Sequence, residues 1–340
     1  MTTRTVLVTG GLGYIGSHTV VELINCKYNV VIIDNLSNSK IAVLQRIEKI
    51  TGTTPKLFIG DIRDREFLHQ ILTVEKIDSA IHFAGLKSVS ESQIAPLKYY
   101  DNNVIGSITL LDELLHFDIN TILFSSSATV YGTISGVKYS EDSPLDPVNV
   151  YGRTKLMVED VLRSVYAANS ELRIGLLRYF NPVGAHQSGL IGEDPSGIPN
   201  NLMPFITQVA IRKLEKVIIY GNDYLTPDGT GLRDYIHVVD LAKGHLAALE
   251  KLRSNPQILT LNLGTGRPYS VLEVIAAFEN VAKLSIPYEI AGRRAGDLPE
   301  YYADPSLAKR LLGWHATMGL EKICTDSWNW QNNNPAGYED

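Results

Sequence analysis

Short runs of apolar, β-branched residues recur along the first half of the chain with no polar alternation inside them. "TVLVTGG", "NVVIIDN", "KLFIGD", "SAIHFAG" and "TILFSSS" are five such runs, and "RIGLLRYFNPVG" is a sixth. A strand covered by helices on both faces reads this way, because neither face is left to water. Stretches with helical spacing separate them, among them "IGSHTVVELIN" and "LMVEDVLRSVY". Regular alternation of strand and helix predicts right-handed crossovers and an α/β fold, a doubly wound parallel sheet of the Rossmann type, over 1–183.

Beyond residue 183 the rhythm loosens. "GAHQSGLIGEDPSGIPNN" is a Gly/Pro/Asp-rich loop, too long for a plain connector and therefore expected to be functional. "VIIYGND", "RDYIHVVDLAKGHLAALEKL", "LTLNLGTG" and "YSVLEVIAAFENVAK" follow, then a last helical stretch. They predict a smaller C-terminal α/β substrate domain over 184–340, with some strands and helices crossing back to the first. "LGTGRPYS" is read as a turn into a helix capped by Ser270 rather than as a second nucleotide loop.

Composition narrows the class. The chain has 340 residues, 44% of them hydrophobic and 20% charged, with a net charge of −6. These values describe a soluble globular protein with room for two domains and argue against nucleic acid or an anionic membrane as a bulk partner. A strand pattern beginning almost at Met1 predicts no signal segment, and no apolar run reaches the ~20 residues of a membrane helix. A cytoplasmic location is expected. Cys26 and Cys324 each fall in a predicted helix and are expected to be small core residues, and the eight histidines have no ligand-like spacing, so no metal is expected.

The candidate chemistry starts at "VTGGLGYIGSH". It reads as Gly10-x-x-Gly13-x-x-Gly16 or as Gly11-x-Gly13-x-x-Gly16, between a predicted strand and a predicted helix. In that context glycines permit a tight turn and a close approach to a pyrophosphate, and the helix N-terminus supplies donors. Asp34 ends the second strand, where a carboxylate suits both adenosine ribose hydroxyls and repels a 2′-phosphate, which favours NAD over NADP. Asp61 and Ile62 end the third strand, beside the expected adenine. Phe83 to Lys87 end the fourth, and Lys87 is placed to reach ribose or phosphates.

"PVNVYGRTK" opens the helix after the fifth strand and sets Tyr151 and Lys155 four residues apart, on one helical face. An ammonium beside a phenol favours phenolate and pulls its pKa from about 10 toward neutrality, which makes a general base. "SSSAT" places Ser127 at the mouth of the sheet, where its hydroxyl can bind a substrate hydroxyl next to Tyr151. With a nicotinamide between them these groups form a redox site.

"TGGLGYIG", "SSSATVYG" and "YGRTK" resemble the extended short-chain dehydrogenase/reductase family. "RYFNPVGAH", "GEDPSGIPNNLMPF", "YGNDYLTPDGTGLRDYIHVVDLA" and "RRAGDLPEYYAD" narrow the resemblance, essentially from end to end, to the members that invert C4 of a UDP-sugar. It implies interconversion of UDP-galactose and UDP-glucose through transient oxidation by tightly held NAD, with Ser127 and Tyr151 catalytic and Lys155 on the cofactor ribose. It further implies cofactor contacts at Tyr14, Ile15, Asp34, Asn35, Asp61, Ile62, Phe83, Ala84, Gly85, Lys87, Asn102 and Phe180. UDP-sugar contacts are implied at Asn181, Asn201, Leu202, Tyr220, Arg233, Arg294, Asp297 and Tyr301. Arg233 and Arg294 suit a pyrophosphate in an otherwise acidic chain. Near the site, the stretch between Tyr131 and Tyr151 is shorter than the pattern. The resemblance also implies a homodimer through helices near 96–117 and 151–169, whose apolar residues occupy more than one face and must be covered.

Two other readings compete. A nucleotide-sugar 4,6-dehydratase needs a further acid and base, carried in resembling enzymes as adjacent Asp and Glu after a Thr; here that stretch is Ala128–Thr129–Val130. A non-catalytic NAD(H)-sensing regulator on this fold has no need of Ser127, Tyr151 and Lys155 together.

Overall fold

The computed structural model describes residues 4–133, 138–294 and 297–339. Part of the short stretch before Tyr151, residues 134–137, lies outside them. Six strands alternate with helices as expected: β1 (Thr5–Thr9), β2 (Asn29–Asp34), β3 (Lys56–Ile59), β4 (Ser79–His82), β5 (Thr121–Ser127) and β6 (Arg173–Tyr179). After β6 come β7 (Asn181–Val183), β8 (Val217–Tyr220), β9 (Leu232–His237), β10 (Gln257–Leu263), β11 (Pro268–Ser270), β12 (Tyr288–Ala291) and β13 (Glu300–Tyr301). The main sheet runs β3-β2-β1-β4-β5-β6-β10, with every pairing parallel. Its order reverses between β1 and β4, where Thr9 lies opposite His82 in register, and the crevice at those strand ends is where such sheets bind ligands.

The unbroken apolar runs have a direct cause. Val6 and Val8 of β1 pack into one core layer with Val20 and Leu23, while Leu7 between them packs into the opposite layer with Val31 and Ala80. All three are fully buried, so period-2 alternation has nothing polar to mark.

The smaller unit is less regular. β9 pairs with β11, β13 and β7, and β8 pairs with β12. The helices Leu202–Ala210, Val271–Ala282 and Leu320–Asn333 close a third core around Met203, Phe278 and Ile323. Ser270 caps the helix Val271–Ala282 in a capping box with Glu273. β10 is the seventh strand of the main sheet, and Leu241, Ala248 and Leu249 of the helix Val238–Leu252 share a core layer with Val20. Only Phe180 separates β6 from β7, so the two sheets meet with no loop between them.

Cys324 is buried as expected, but Cys26 is exposed, contrary to the expectation. It sits at the C-cap of the helix Tyr14–Asn25, followed by Lys27 at φ 67°, where the chain has already turned outward. Among the described residues no helix is long and apolar enough to cross a membrane, and no group of three or more His, Cys, Asp or Glu could hold a metal ion.

Candidate active site

The glycine turn at the end of β1 is built by exclusion. Gly10 has φ +69° and donates its N–H to Ile33, and a Cβ on it would stand 2.8 Å from the Ala84 nitrogen. A Cβ on Gly16 would stand 2.1 Å from the Gly10 carbonyl oxygen. No side chain caps the helix Tyr14–Asn25, whose N-cap is Gly13, so its first N–H groups remain donors toward the crevice. The turn is tied to β2 through Asp34, whose Oδ2 accepts from the Leu12 N–H at 3.0 Å. Its Oδ1 accepts from the Leu36 N–H and the Ser39 hydroxyl. Oδ2 thereby keeps acceptor capacity for a ribose hydroxyl, with the carboxylate already oriented. Left-handed turn, uncapped helix and oriented acid together fit a dinucleotide pyrophosphate and ribose.

Further along the strand ends, Asn35 donates to Asp61 at 3.1 Å. Bidentate bonding from Arg63 pulls the Asp61 carboxyl down to about 2. Phe83 packs against His245, and Ala84 bonds the Thr9 carbonyl. Gly85 lets the chain pass beside Asn103 and the Lys155 ammonium, where a Cβ would already lie 3.3 Å from the Asn103 oxygen. The Tyr14 hydroxyl bonds the Gly184 carbonyl at 2.7 Å, and Ile62 is buried in the core. Ile15 is partly buried against the core layer of Val20. Asn102 lies in π-helical turns over Tyr100–Ile105. Its buried neighbour Asn103 holds Leu86 through N–H and carbonyl and also bonds the Thr154 hydroxyl. No spacing signal singled out Asn103.

The opening of the helix Val150–Ala168 explains how Ser127, Tyr151 and Lys155 meet. Asn149 caps it, and a Cβ on Gly152 would stand 2.3 Å from the Thr129 carbonyl oxygen. The first turn of the helix therefore lies directly on the end of β5. The Ser127 oxygen accepts from the Thr129 N–H at 3.2 Å and from its hydroxyl at 2.9 Å, which leaves its own proton free to donate. The Lys155 ammonium bonds the Ser125 carbonyl at 2.7 Å, 5.9 Å from the centre of the Tyr151 ring.

The balance of charge differs from the expectation. Burial pushes the Tyr151 phenol above its ordinary value, with the Ser127 bond opposing, and burial pulls Lys155 down to about 8. Desolvation outweighs the ammonium here, because the lysine is aimed first at a backbone carbonyl. Beneath this group a buried pair locks the helix to β6. Arg178 Nε and Nη2 bond the two Glu159 oxygens at 2.9 and 2.6 Å, and Ser126 bonds Oε1. Burial alone would raise the Glu159 carboxyl, but Arg178, helped by Ser126 and Arg163, more than offsets it and the net shift is downward.

Across the crevice the smaller unit brings together residues far apart in sequence. Asp297 receives Arg294 at 3.0 Å and lies 3.7 Å from Arg233, and the Arg294 guanidinium lies over the Tyr220 ring. Arg233 is also held by the Leu232 and Leu298 carbonyls. Tyr301 stacks between Tyr139 and Phe180 and donates its hydroxyl to the Ala128 carbonyl, one residue past Ser127. Asn181 begins β7 opposite Tyr235. Asn201 and Leu202 open the helix Leu202–Ala210, with Leu202 packed on the third core. Lys87 and Asn201 both bond Glu193, a residue of the long loop that sequence reasoning did not single out.

A family model described as GDP-mannose 4,6 dehydratase matches residues 7–327. The UDP-glucose 4-epimerase of Bacillus subtilis is 53% identical over 98% of this chain and 98% of its own length. A crystal structure of UDP-glucose 4-epimerase from Bifidobacterium longum in complex with NAD+ and UDP is 49% identical, with a TM-score of 0.95 over 98% of this chain and all of its own. The UDP-glucose 4-epimerase of Stenotrophomonas maltophila, with bound NAD and formylated UDP-arabinopyranose, is 50% identical with a TM-score of 0.96 over 98% of this chain and 99% of its own.

Proposed function

The chain belongs to the UDP-glucose 4-epimerase family, and from that membership we propose how its own residues carry the reaction. The activity is NAD-dependent inversion at C4, which interconverts UDP-galactose and UDP-glucose. Tyr151 takes the proton of the sugar 4-hydroxyl, and Ser127 orients the phenol with the one proton it has free. Bound NAD accepts the hydride from C4 and returns it to the opposite face of the 4-keto sugar. Tyr151 gives its proton back in the second half, so neither proton nor electrons are consumed. Lys155, charged below about 8, supports the phenolate and faces the cofactor ribose. Arg233 and Arg294 hold the UDP pyrophosphate with charge-assisted bonds while the sugar turns over. Asn181, Asn201, Leu202, Tyr220, Asp297 and Tyr301 line the path of the UDP-sugar.

The observation that carries this reading is the meeting of Ser127, at the end of β5, with Tyr151 and Lys155, whose ammonium lies 5.9 Å from the centre of the Tyr151 ring and beside Gly85 at the crevice. It also weighs against dehydration, since the next residues, Ala128 and Val130, are buried apolar groups and no carboxylate stands there. Incubation with UDP-galactose should yield UDP-glucose without added NAD and without net NADH. Stoichiometric NADH release would indicate a dehydrogenase, and loss of water from the sugar a dehydratase.

We further propose that 184–340, apart from the segment returned to the main sheet, serves as the UDP-sugar domain. A cytoplasmic homodimer completes the reading, with Leu97, Ile105, Ile108 and Met157, all exposed on the two helices, forming the contact. Light scattering at micromolar concentration should give twice the chain mass, reduced by Ile108→Asp.

A further inference from the structure

Glu193 lies between the two halves of the site. Its side chain is only 7% exposed, and its Oε1 accepts from Lys87 Nζ at 2.8 Å and from Asn201 Nδ2 at 2.9 Å. Lys87 leaves the end of β4 on the cofactor side, and Asn201 opens the helix Leu202–Ala210 on the sugar side. An ammonium has three donors and an amide two donors and a carbonyl. One bond from each to Glu193 therefore leaves both residues able to bind a ligand, now in fixed orientation.

What holds Glu193 comes from the other end of the chain. Trp330 donates its ring N–H to the Glu193 carbonyl at 3.2 Å. The Tyr338 hydroxyl bonds the N–H and the carbonyl of Gly192 at 3.0 and 3.1 Å, and the Tyr338 N–H bonds Asp194 at 3.0 Å. Three consecutive loop residues are thus gripped by the last helix and the segment after it. Gly337, at φ +82°, makes the grip possible, because a Cβ there would stand 2.2 Å from the Asp194 carboxylate.

Resting on the epimerase reading above, we propose that Glu193 is a positioning residue that couples the cofactor-side Lys87 to the sugar-side Asn201. The C-terminal segment, through Trp330 and Tyr338, sets the loop so that this bridge forms. The bridge orders both ligand-binding groups before a ligand arrives, so its loss falls on binding more than on the chemical step.

The test uses the full chain with Glu193→Ala, Glu193→Gln, Tyr338→Phe and the double variant Glu193→Ala/Tyr338→Phe. Glu193→Ala should raise KM for UDP-galactose about tenfold, the scale of one hydrogen bond to a charged group, with kcat far less affected. It should also lose NAD on gel filtration faster than the wild type. Glu193→Gln, nearly isosteric and still an acceptor, should fall between, and thermal melting of that variant checks the fold. Tyr338→Phe should move KM in the same direction, and the double variant should be no worse than Glu193→Ala, because both changes act through one bridge. Unchanged KM and NAD retention in Glu193→Ala would overturn the proposal. So would a lower KM, which means competition with the ligand, or additive effects in the double variant. Wild-type turnover of UDP-galactose tests the epimerase reading separately. NAD retention and UDP binding by calorimetry read the bridge without turnover.

Discussion

The two sides of the crevice are built on opposite plans. Behind Tyr151 the polar groups are buried and paired: Ser127 with Thr129, Lys155 with Ser125, Glu159 with Arg178. Around Arg294 the groups are open, with the arginine side chain 57% and Tyr220 41% exposed, and they are held by Asp297 and by ring stacking. A proton must move along one geometry, and a rigid, dry frame supplies it without reorganisation. In the proposed reaction a nucleotide enters and leaves, and solvated groups suit that exchange. The Glu193 bridge lies where the two plans meet.

That contrast can be broken most severely at the base. Tyr151→Phe should lower turnover at least 10²–10⁴-fold, the range of general base catalysis, with UDP affinity by calorimetry unchanged. Near-normal turnover would sink the assignment.

The next test sets one buried against one open charge. Glu159→Ala leaves Arg178 buried and unpaired, which should cost about 3–5 kcal/mol in urea unfolding. Arg294→Ala, on the exposed side, should leave stability within about 1 kcal/mol while raising KM for UDP-galactose. Equal stability losses would erase the distinction between the two plans.

A smaller effect concerns the wall between them. Tyr301 fills the space beside Ser127, and forcing a 2-N-acetyl group against it should cost about 1–3 kcal/mol, roughly 5- to 150-fold in kcat/KM. UDP-N-acetyl sugars should be poor substrates, and Tyr301→Cys should narrow the gap while sparing UDP-galactose. Equal use of both sugar types by the wild type would show that this ring does not close the pocket.

The last effect is one of pH. Lys155 is charged below about 8 and neutral above it, so support for the phenolate is present on the acid side and lost as pH rises. The pH–rate profile should carry an alkaline limb near 8, and Lys155→Met should remove that limb while slowing turnover throughout. An unchanged limb in the variant would assign it to another group.

Much of this protein follows from local rules. Apolar runs of strand length, the glycines at 10 and 16, and the i, i+4 pair of Tyr151 and Lys155 act over a few residues, where backbone sterics and helix periodicity decide the outcome. Ser270 capping its helix belongs with them. Other features depended on which segments fold against one another. β10 became the seventh strand because β6 offered a parallel edge. Tyr151 became a phenol of raised pKa because burial outweighed its lysine neighbour, and Glu193 acquired its role from Lys87, 106 residues away. Desolvation and long-range hydrogen bonding are properties of the packed chain. Local sequence sets which groups are present and how each element begins; packing sets which of them lose their water, and to which partners.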